Sequence, residues 1–457
     1  MAILDDARSR PRSSGVSPQE ILQREAQRQE VPDVLLSESY TYLGSDDIPA
    51  ERYTSAEYAR LEAEHLWPKV WQMACREEDI PEVGDHVVYD IANYSILVVR
   101  SAPDVIKAYH NSCLHRGTQL RAEGGSVPFF RCSFHGWTWN LDGTLKRIPA
   151  QWDFPHCQPD RMCLPECQVG TWAGFVFINM DPDAGPLEDW LEVLPEHFRH
   201  WPLEKRLKAA HVAKILPCNW KVAIEAFIEA YHVSSTHPQL AFYDGDTNSQ
   251  YDIYGEHVSR FVNILGIPSP ELGELDEQTI AEAFARDFRI GDATAVEVPE
   301  GSSAREVIAE TMRQLLSAGS GIDFSKLSNT EAIDSIEYYL FPNFLPWAGL
   351  GIPIVYRFRP NGLDPDTSIM EVMLMAPLPE GLPQRPPPAP IHWLESDDWR
   401  DAPEIGVLGL ALNQDMSNLH KVQRGLHASA TKTVKLGDYQ EIRIRHYHRT
   451  LEKYVGK

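Results

Sequence analysis

Cys113, His115, Cys132 and His135 form two short pairs, Cys-Leu-His and Cys-Ser-Phe-His, separated by sixteen residues. Each pair runs into a glycine, in His115-Arg116-Gly117 and His135-Gly136-Trp137. Two thiolates and two imidazoles at this spacing suit a tetrahedral zinc. They suit equally a [2Fe–2S] cluster with two Cys on one iron and two His on the other. In the second case each of two opposed loops gives one ligand to each iron.

A second constellation lies downstream, in Glu229-Ala-Tyr-His232-Val-Ser-Ser-Thr-His237-Pro. Two histidines five apart on an ideal helix stand roughly 140° from each other. The run Val233-Ser-Ser-Thr and Pro238 must therefore distort the helix if both are to meet one metal. The plainer reading is a pair of histidines complementing a helix C-terminus. A third candidate ligand is Asp415, in LNQDMSNLHKVQRGL, set between Leu412 and Leu419 and in need of a partner if buried. Two His and one carboxylate with open positions form the site of a mononuclear Fe(II) that handles O2. Cys157, Cys163, Cys167 and His156 match no ligand spacing and read as free thiols with a neighbouring histidine.

Such residues need rigid frames. From Trp67 to about Asp181 the chain reads as short β runs, HVVYDI (86–91), YSILVVR (94–100) and GFVFINM (174–180), broken by Gly, Pro, Asn and Asp. A small all-β unit of this kind fixes the tips of two metal-binding loops. Before it, residues 1–66 read as an N-terminal arm with helix near Pro18–Gln29 and again at Ser55–Leu66, packing on the later domain. After it, 182–457 carries a short helix at Asp189–His200 and a longer one at Asn219–Tyr231. Three strands are expected at Ser335–Pro342, Ile352–Arg359 and Ile369–Ala376, separated by the turn-like PWAGLG and PNGLDPDTS. An acidic, helix-rich stretch (268–330), interrupted by Gly291 and Gly301, reads as a lid or insertion. A Pro-rich linker (378–390) precedes a long C-terminal helix over Pro403–His427. The fold class is α+β, with an antiparallel sheet in the second domain.

The bulk numbers set limits. A chain of 457 residues has room for two or three domains with their own cores. The formal charge of −24 argues against nucleic acid and anionic membrane as partners. Seven cysteines and no leader-like or ~20-residue apolar stretch point to a reduced, soluble, cytoplasmic protein without a disulfide framework.

The string CLHRG…CSFHGW resembles the cluster-binding signature of the Rieske proteins. NWKVAIEAFIEAYHVSSTHP is similar to the iron-binding helix of the Rieske non-haem iron oxygenases, and QDMSNLHKVQRGL to the helix that carries their carboxylate ligand. The three motifs fall in the family's order over roughly residues 50 to 430. The resemblance implies a small Rieske [2Fe–2S] domain and a helix-grip (START-like) catalytic domain. It implies one cluster per chain on Cys113, His115, Cys132 and His135, and one Fe(II) on His232, His237 and Asp415. Glu229 stands where ring-hydroxylating dioxygenases usually carry Asp, and Ala226 replaces a usual Asn. By the resemblance, Glu229 would link His232 to His135 of the partner subunit, which implies a homotrimer at least. The spelling EAFIEAYH looks more like the branch that oxidises quaternary amines.

The implied activity is that of a terminal oxygenase fed by an external reductase or ferredoxin, with or without a small beta subunit. It would use O2 to hydroxylate or dioxygenate an aromatic or other hydrophobic small molecule. The alternatives are a Rieske monooxygenase acting in O- or N-demethylation or quaternary-amine oxidation, and a non-enzymatic electron carrier or zinc-binding scaffold. No GxGxxG motif marks a nicotinamide or flavin site in the chain itself. Expected pocket residues are Phe227, Ile228, Phe242, Phe341, Asn343 and Trp347, with Asn343 as a polar anchor in an apolar pocket.

Overall fold

The short apolar runs between Trp67 and Asp181 pair into a seven-stranded antiparallel sheet. Its principal strands are β1 (Gln72–Arg76), β2 (Asp85–Ile91), β3 (Tyr94–Ala102), β4 (Val105–His110), β5 (Glu166–Trp172) and β6 (Phe175–Asn179). They lie in the order β1-β6-β5-β4-β3-β2, with Gly125–Ser126 at the far edge. The computed structural model describes residues 15–290, 296–379, 381 and 385–456. It divides into two compact units, one built on Ala59–Trp190 and the other on the described residues up to Tyr58 with Leu191–Arg359 and Pro365–Lys453.

In the first unit a three-stranded sheet (Phe130–Arg131, Thr138–Trp139, Leu145–Arg147) supplements the main one. A core of Leu97, Val99, Tyr109, Phe130, Trp137 and Trp139 reaches up to Cys113 and Cys132. The Asp142-Gly143 turn forms as its sequence predicts, with Thr144 N–H donating to Asp142 Oδ1 at 3.0 Å. Tyr109 passes so close to Gly143 that a Cβ there would stand 2.6 Å from its ring.

The second unit is built on an eight-stranded, mainly antiparallel sheet. Its long strands are β7 (Arg206–Leu216), β8 (Gln250–Tyr254), β9 (Val258–Asn263), β10 (Ser335–Leu340), β11 (Phe344–Ala348), β12 (Ile354–Asn361) and β13 (Asp364–Pro377). The order is β8-β9-β10-β11-β12-β13-β7, closed by the short parallel strand His392–Trp393. The unit also contains helices α1 (Trp220–Glu225), α2 (Val233–Thr236), α5 (Leu408–Ala428) and α6 (Ile442–Val455); α3 (Glu277–Asp287) and α4 (Ala304–Ser320) belong to the 268–330 segment. The N-terminal arm is tied to this sheet: Gln19 Nε2 donates to Gln250 Oε1 at 2.8 Å, and Ser39 N–H to Asp252 at 2.6 Å.

Several expectations need correction. The helix expected over Asp189–His200 is two pieces, Leu187–Leu191 and Leu194–His197. Glu192 breaks it at φ +50, and its carboxylate instead accepts the N–H groups of Glu256, His257 and Val258. FLPWA, read partly as a turn, is the buried strand β11. Its Pro346 is tolerated because pairing with β10 skips the residues opposite it, the register holding only at Leu340, Glu337 and Ile336. Helix α6 was not expected at all. Its sequence IRIRHYHRTLEKYV buries Arg443, Arg445, His446 and His448, so charges mask the apolar period.

The 268–330 segment packs Ile280, Phe284 and Ile308 into one core with Tyr243, Leu265 and Ile333. Buried Arg305 ties it down through Glu25 at 2.6 Å and Asp334 at 2.6 and 2.8 Å. Gly291, expected as an interruption there, lies outside the described residues, as do the first fourteen residues and part of the Pro-rich linker.

Candidate metal centres

The two Cys/His loops have the same backbone. Gly117 N–H donates to the Cys113 carbonyl at 2.9 Å and Gly136 N–H to the Cys132 carbonyl at 3.1 Å. Both glycines sit in the left-handed region, at φ +73 and +74, which explains a glycine two and one residues past the histidines. The N–H groups of His115 and Arg116 face the Cys113 sulfur, and those of Phe134 and His135 face that of Cys132. Burial raises the Cys113 thiol, whereas at Cys132 burial is outweighed by the facing N–H groups and the thiol is lowered.

The two sulfurs face each other across the loops, and the His115 and His135 rings meet with centroids 4.5 Å apart. Trp137 stacks on His115 at 5.0 Å and 3°, which fixes the imidazole plane. His115 Nδ1 is buried without a hydrogen-bond partner, as an atom reserved for a metal would be. Ligands of one tetrahedral zinc stand about 3.3–3.8 Å from one another. Among the described residues these four do not gather three ligand atoms within 4.8 Å; only His232, His237 and Asp415 do. A Cys pair and a His pair held apart suit a two-iron cluster and do not suit a single zinc.

The second centre depends on how helix α1 ends. Asn219 caps it by accepting the Lys221 N–H, and it stops at Glu225 instead of running on to Tyr231. Beyond that point the backbone is served from elsewhere. Arg443 Nη1 donates to the Ile228 carbonyl at 3.2 Å, and Ala230 N–H donates to the Tyr251 hydroxyl at 3.0 Å. His232 N–H donates to Glu229 Oε2 at 3.1 Å. His232 then opens α2 and His237 closes it, bringing the rings to a centroid separation of 5.3 Å. The distortion that joins them therefore begins before His232, earlier than the sequence suggested.

Helix α5 presents Gln414, Asp415 and Asn418 to this turn. Asp415 Oδ1 lies 2.9 Å from His237 Nε2 and 3.5 Å from His232 Nε2. Adjacent ligands about 2.1 Å from one six-coordinate ion stand about 3 Å apart, so the spacing fits. Each outer ring nitrogen is occupied: His232 Nδ1 by Glu229 Oε1 at 2.6 Å, His237 Nδ1 by Gln414 Oε1 at 2.9 Å. Gln414 is held in turn by Gln239. Both imidazoles are thus set to donate at Nδ1 and to offer Nε2 to an ion. Burial pulls His232 down, but Glu229 and Asp415 overrule it and carry it up to about 10, the mark of a site that seeks a cation. The two imidazoles likewise hold the Asp415 carboxyl low against its burial.

Two of the expected pocket residues, Phe227 and Trp347, share Tyr356 as a neighbour. Phe227 packs on Tyr356 and Phe358 at 5.1 and 5.3 Å, and Trp347 meets Tyr356 and Phe261 at 6.1 and 6.0 Å. Ile228 is wholly buried, Phe341 lies under Tyr447 of α6, and Phe242 is 37% exposed. Asn343 is fully buried with its amide donating to the Phe358 carbonyl at 2.8 Å, a bond that ties strands together. Sequence reasoning missed Gln414, Tyr251, Glu337 and Arg443. The only available signals were charges inside apolar strand and helix patterns and a glutamine beside Asp415.

Fold and sites define an α+β protein with an all-β iron–sulfur unit and a sheet-and-helix unit for a mononuclear metal. Residues 70–158 match the Rieske [2Fe-2S] domain, and 187–457 match the ring hydroxylating alpha subunit (catalytic domain). The chain belongs to that alpha-subunit family, whose cofactors are a [2Fe–2S] cluster and a mononuclear iron. It is 32% identical over 212 residues to the carnitine monooxygenase oxygenase subunit of Escherichia coli K12, over 45% of this chain and 57% of that one. It is 30% identical over 193 residues to the chlorobenzene dioxygenase subunit alpha of Cupriavidus sp. PS12, covering 40% and 42%. The matched segments thus span about half the length of these relatives. A solved quaternary ammonium Rieske monooxygenase shares the fold at TM-score 0.63 and 18% identity, over 90% of this chain and 96% of that one. No helix among the described residues is long and apolar enough to cross a membrane.

Proposed function

We propose that the chain is the terminal oxygenase of a multicomponent system, holding its cluster on Cys113, His115, Cys132 and His135 and its iron on His232, His237 and Asp415. The observation that carries this reading is the convergence of those three side chains with both Nδ1 atoms already engaged. When bound, the cluster relays single electrons and the iron activates O2. The protein's own part is orientation. Glu229 and Gln414 fix the two imidazoles, and burial of His237 and Asp415 limits water at the site.

The reaction that fits best is monooxygenation next to a cationic nitrogen. The carbon bonded to nitrogen exchanges H for OH, using O2, two electrons and two protons and releasing water. The carbinolamine then breaks its C–N bond to give amine, aldehyde and a proton. Similarity to the carnitine monooxygenase subunit and Glu in place of Asp at 229 support this choice. A second reading, cis-dihydroxylation of an arene with both oxygen atoms retained, is favoured by the similarity to the chlorobenzene enzyme and by the aromatic run Phe227–Tyr356–Trp347.

Electrons come from an external reductase or ferredoxin, and the working assembly is a homotrimer. Phe134, 58% exposed beside His135, gives the cluster tip an apolar surface. A cleft of about 260 Å³ beside Glu229 and His232 is walled by Leu419, Val422, Leu436 and Ile444 and fits such a tip from the partner subunit.

The test combines metal analysis with isotope labelling. Dithionite-reduced protein is expected to give a rhombic electron paramagnetic resonance signal with average g near ~1.9, with about three irons per chain and sulfide. Turnover with ¹⁸O₂ and a reductase is expected to place one labelled atom in product. Two labelled atoms indicate dihydroxylation, and zinc without sulfide or signal overturns the oxygenase reading.

A further inference from the structure

Four side chains cross the sheet as a row, because they are register partners on neighbouring strands: Tyr251 with Phe261, Phe261 with Glu337, and Glu337 with Trp347. Partners in register project from the same face. That face is the one bearing the metal-ligand segment, since Tyr251 accepts the Ala230 N–H and Arg443 joins Glu337 to the Ile228 carbonyl. Trp347 continues the row through Tyr356 to Phe227, five residues before His232.

Glu337 is the only carboxylate in this row, and it is fully buried. Arg443 Nη2 donates to its Oε1 at 3.0 Å. Arg443 also donates Nε to Ser259 Oγ at 3.0 Å and Nη1 to the Ile228 carbonyl. The ion pair thus occupies one of the two carboxylate oxygens. Glu337 Oε2 is buried with no hydrogen-bond partner, and so is Trp347 Nε1 on the neighbouring strand. An unpaired acceptor and an unpaired donor on register partners of neighbouring strands, at the end of an aromatic run, ask for a group that supplies both.

We propose that Glu337 Oε2 and the Trp347 indole N–H form the polar recognition point of the substrate pocket, taking a hydroxyl of the substrate that donates to the carboxylate and accepts from the indole. The inference rests on the oxygenase reading but not on the choice of amine over arene. Glu337 and Trp347 bind and orient; they do not touch the iron ligands.

Two matched probe pairs, each differing by one hydroxyl, test it by titration calorimetry on the whole protein: L-carnitine with γ-butyrobetaine, and benzyl alcohol with toluene. In whichever class binds, the hydroxyl-bearing member is expected to bind about tenfold more tightly, the effect of one hydrogen bond to a charged group. Glu337→Gln keeps an amide oxygen on Arg443 and turns an NH2 toward the pocket. Trp347→Phe keeps the ring and removes the N–H. Each is expected to bring the ratio below about threefold. Thermal melts confirm that both variants are folded. A wild-type ratio near one, a preference that survives both substitutions, or binding of neither pair overturns the proposal. A hydroxyl preference with benzyl alcohol and no binding of either betaine sinks the amine reading and leaves Glu337 standing, whereas equal binding of the two betaines with no binding of the aromatic pair does the reverse.

Discussion

Glu229 holds His232 twice: its Oε1 lies 2.6 Å from Nδ1, and its Oε2 accepts the backbone N–H of the same residue at 3.1 Å. One carboxylate thus fixes both the ring and the turn that carries it. Helix propensity alone would continue α1 through this stretch. The double bond substitutes for helical partners that residues 228–232 have given up, and it leaves Nε2 facing Asp415 and His237.

Glu229→Ala should lower turnover about 10- to 100-fold, the usual cost of losing the group behind a metal-bound histidine. The cluster's visible absorption should persist, because its four proposed ligands, Cys113, His115, Cys132 and His135, are all kept. Stopped-flow reduction of the cluster beside steady-state product formation separates the two effects. Equal slowing of both would show that Glu229 has no particular connection to the iron side.

His232→Ala removes one of three converging ligands. Iron should fall from about three to about two per chain, sulfide should stay constant, and product should vanish. An electron carrier or scaffold would keep its function in this variant, so retained activity defeats the oxygenase assignment.

Gln414→Leu leaves His237 Nδ1 without its acceptor at 2.9 Å. The imidazole is then free to rotate or to change tautomer, and iron affinity should drop by about tenfold. Competition with a chromophoric chelator measures this directly, and an unchanged affinity would mean that packing alone orients the ring.

Trp137 stacks on His115 and is only 2% exposed within the core under the cluster loops. Trp137→Ala should cost about 3–5 kcal/mol of stability in that unit. Cluster bleaching followed during thermal melting should shift to lower temperature, with the iron count at the other centre preserved.

His446 is buried and pushed down to about 4, chiefly by burial itself. It is neutral in both states above pH 6.5, where its contribution to stability is fully present. As pH falls from 6.5 toward 4, the unfolded chain takes up a proton that the folded chain refuses, and the contribution is lost. The slope is about 1.4 kcal/mol per pH unit for one such group. Replacing it by Gln should therefore shift the stability difference toward the variant by about that amount per unit between pH 6.5 and 4. Denaturant titrations of both proteins at pH 7, 6 and 5 check it; parallel curves would place a charged imidazole in the folded state.

The sequence alone determined the ligand types, their order and the frame around the first centre. Cys113, His115, Cys132 and His135 lie in short loops whose geometry is set by neighbours a few residues away, above all Gly117 and Gly136. Local chemistry of that kind is written in local sequence. The strands β2, β3 and β6 were legible for the same reason, since alternation and turn residues are short-range signals.

What tertiary structure decided was the second centre and its surroundings. Helix α1 stops at Glu225 because Tyr251, on a strand twenty residues later, and Arg443, more than two hundred residues later, satisfy the backbone that follows. Helix α6 hides its apolar period under buried Arg and His side chains, of which Arg443 finds its carboxylate, Glu337, over a hundred residues away. Pro346 sits in a buried strand because the ladder on its β10 side skips it, while it pairs with Val355 on the other side. A single sequence carries none of these long-range hydrogen bonds in its local pattern, and they are what turns two histidines five apart and a remote aspartate into one site.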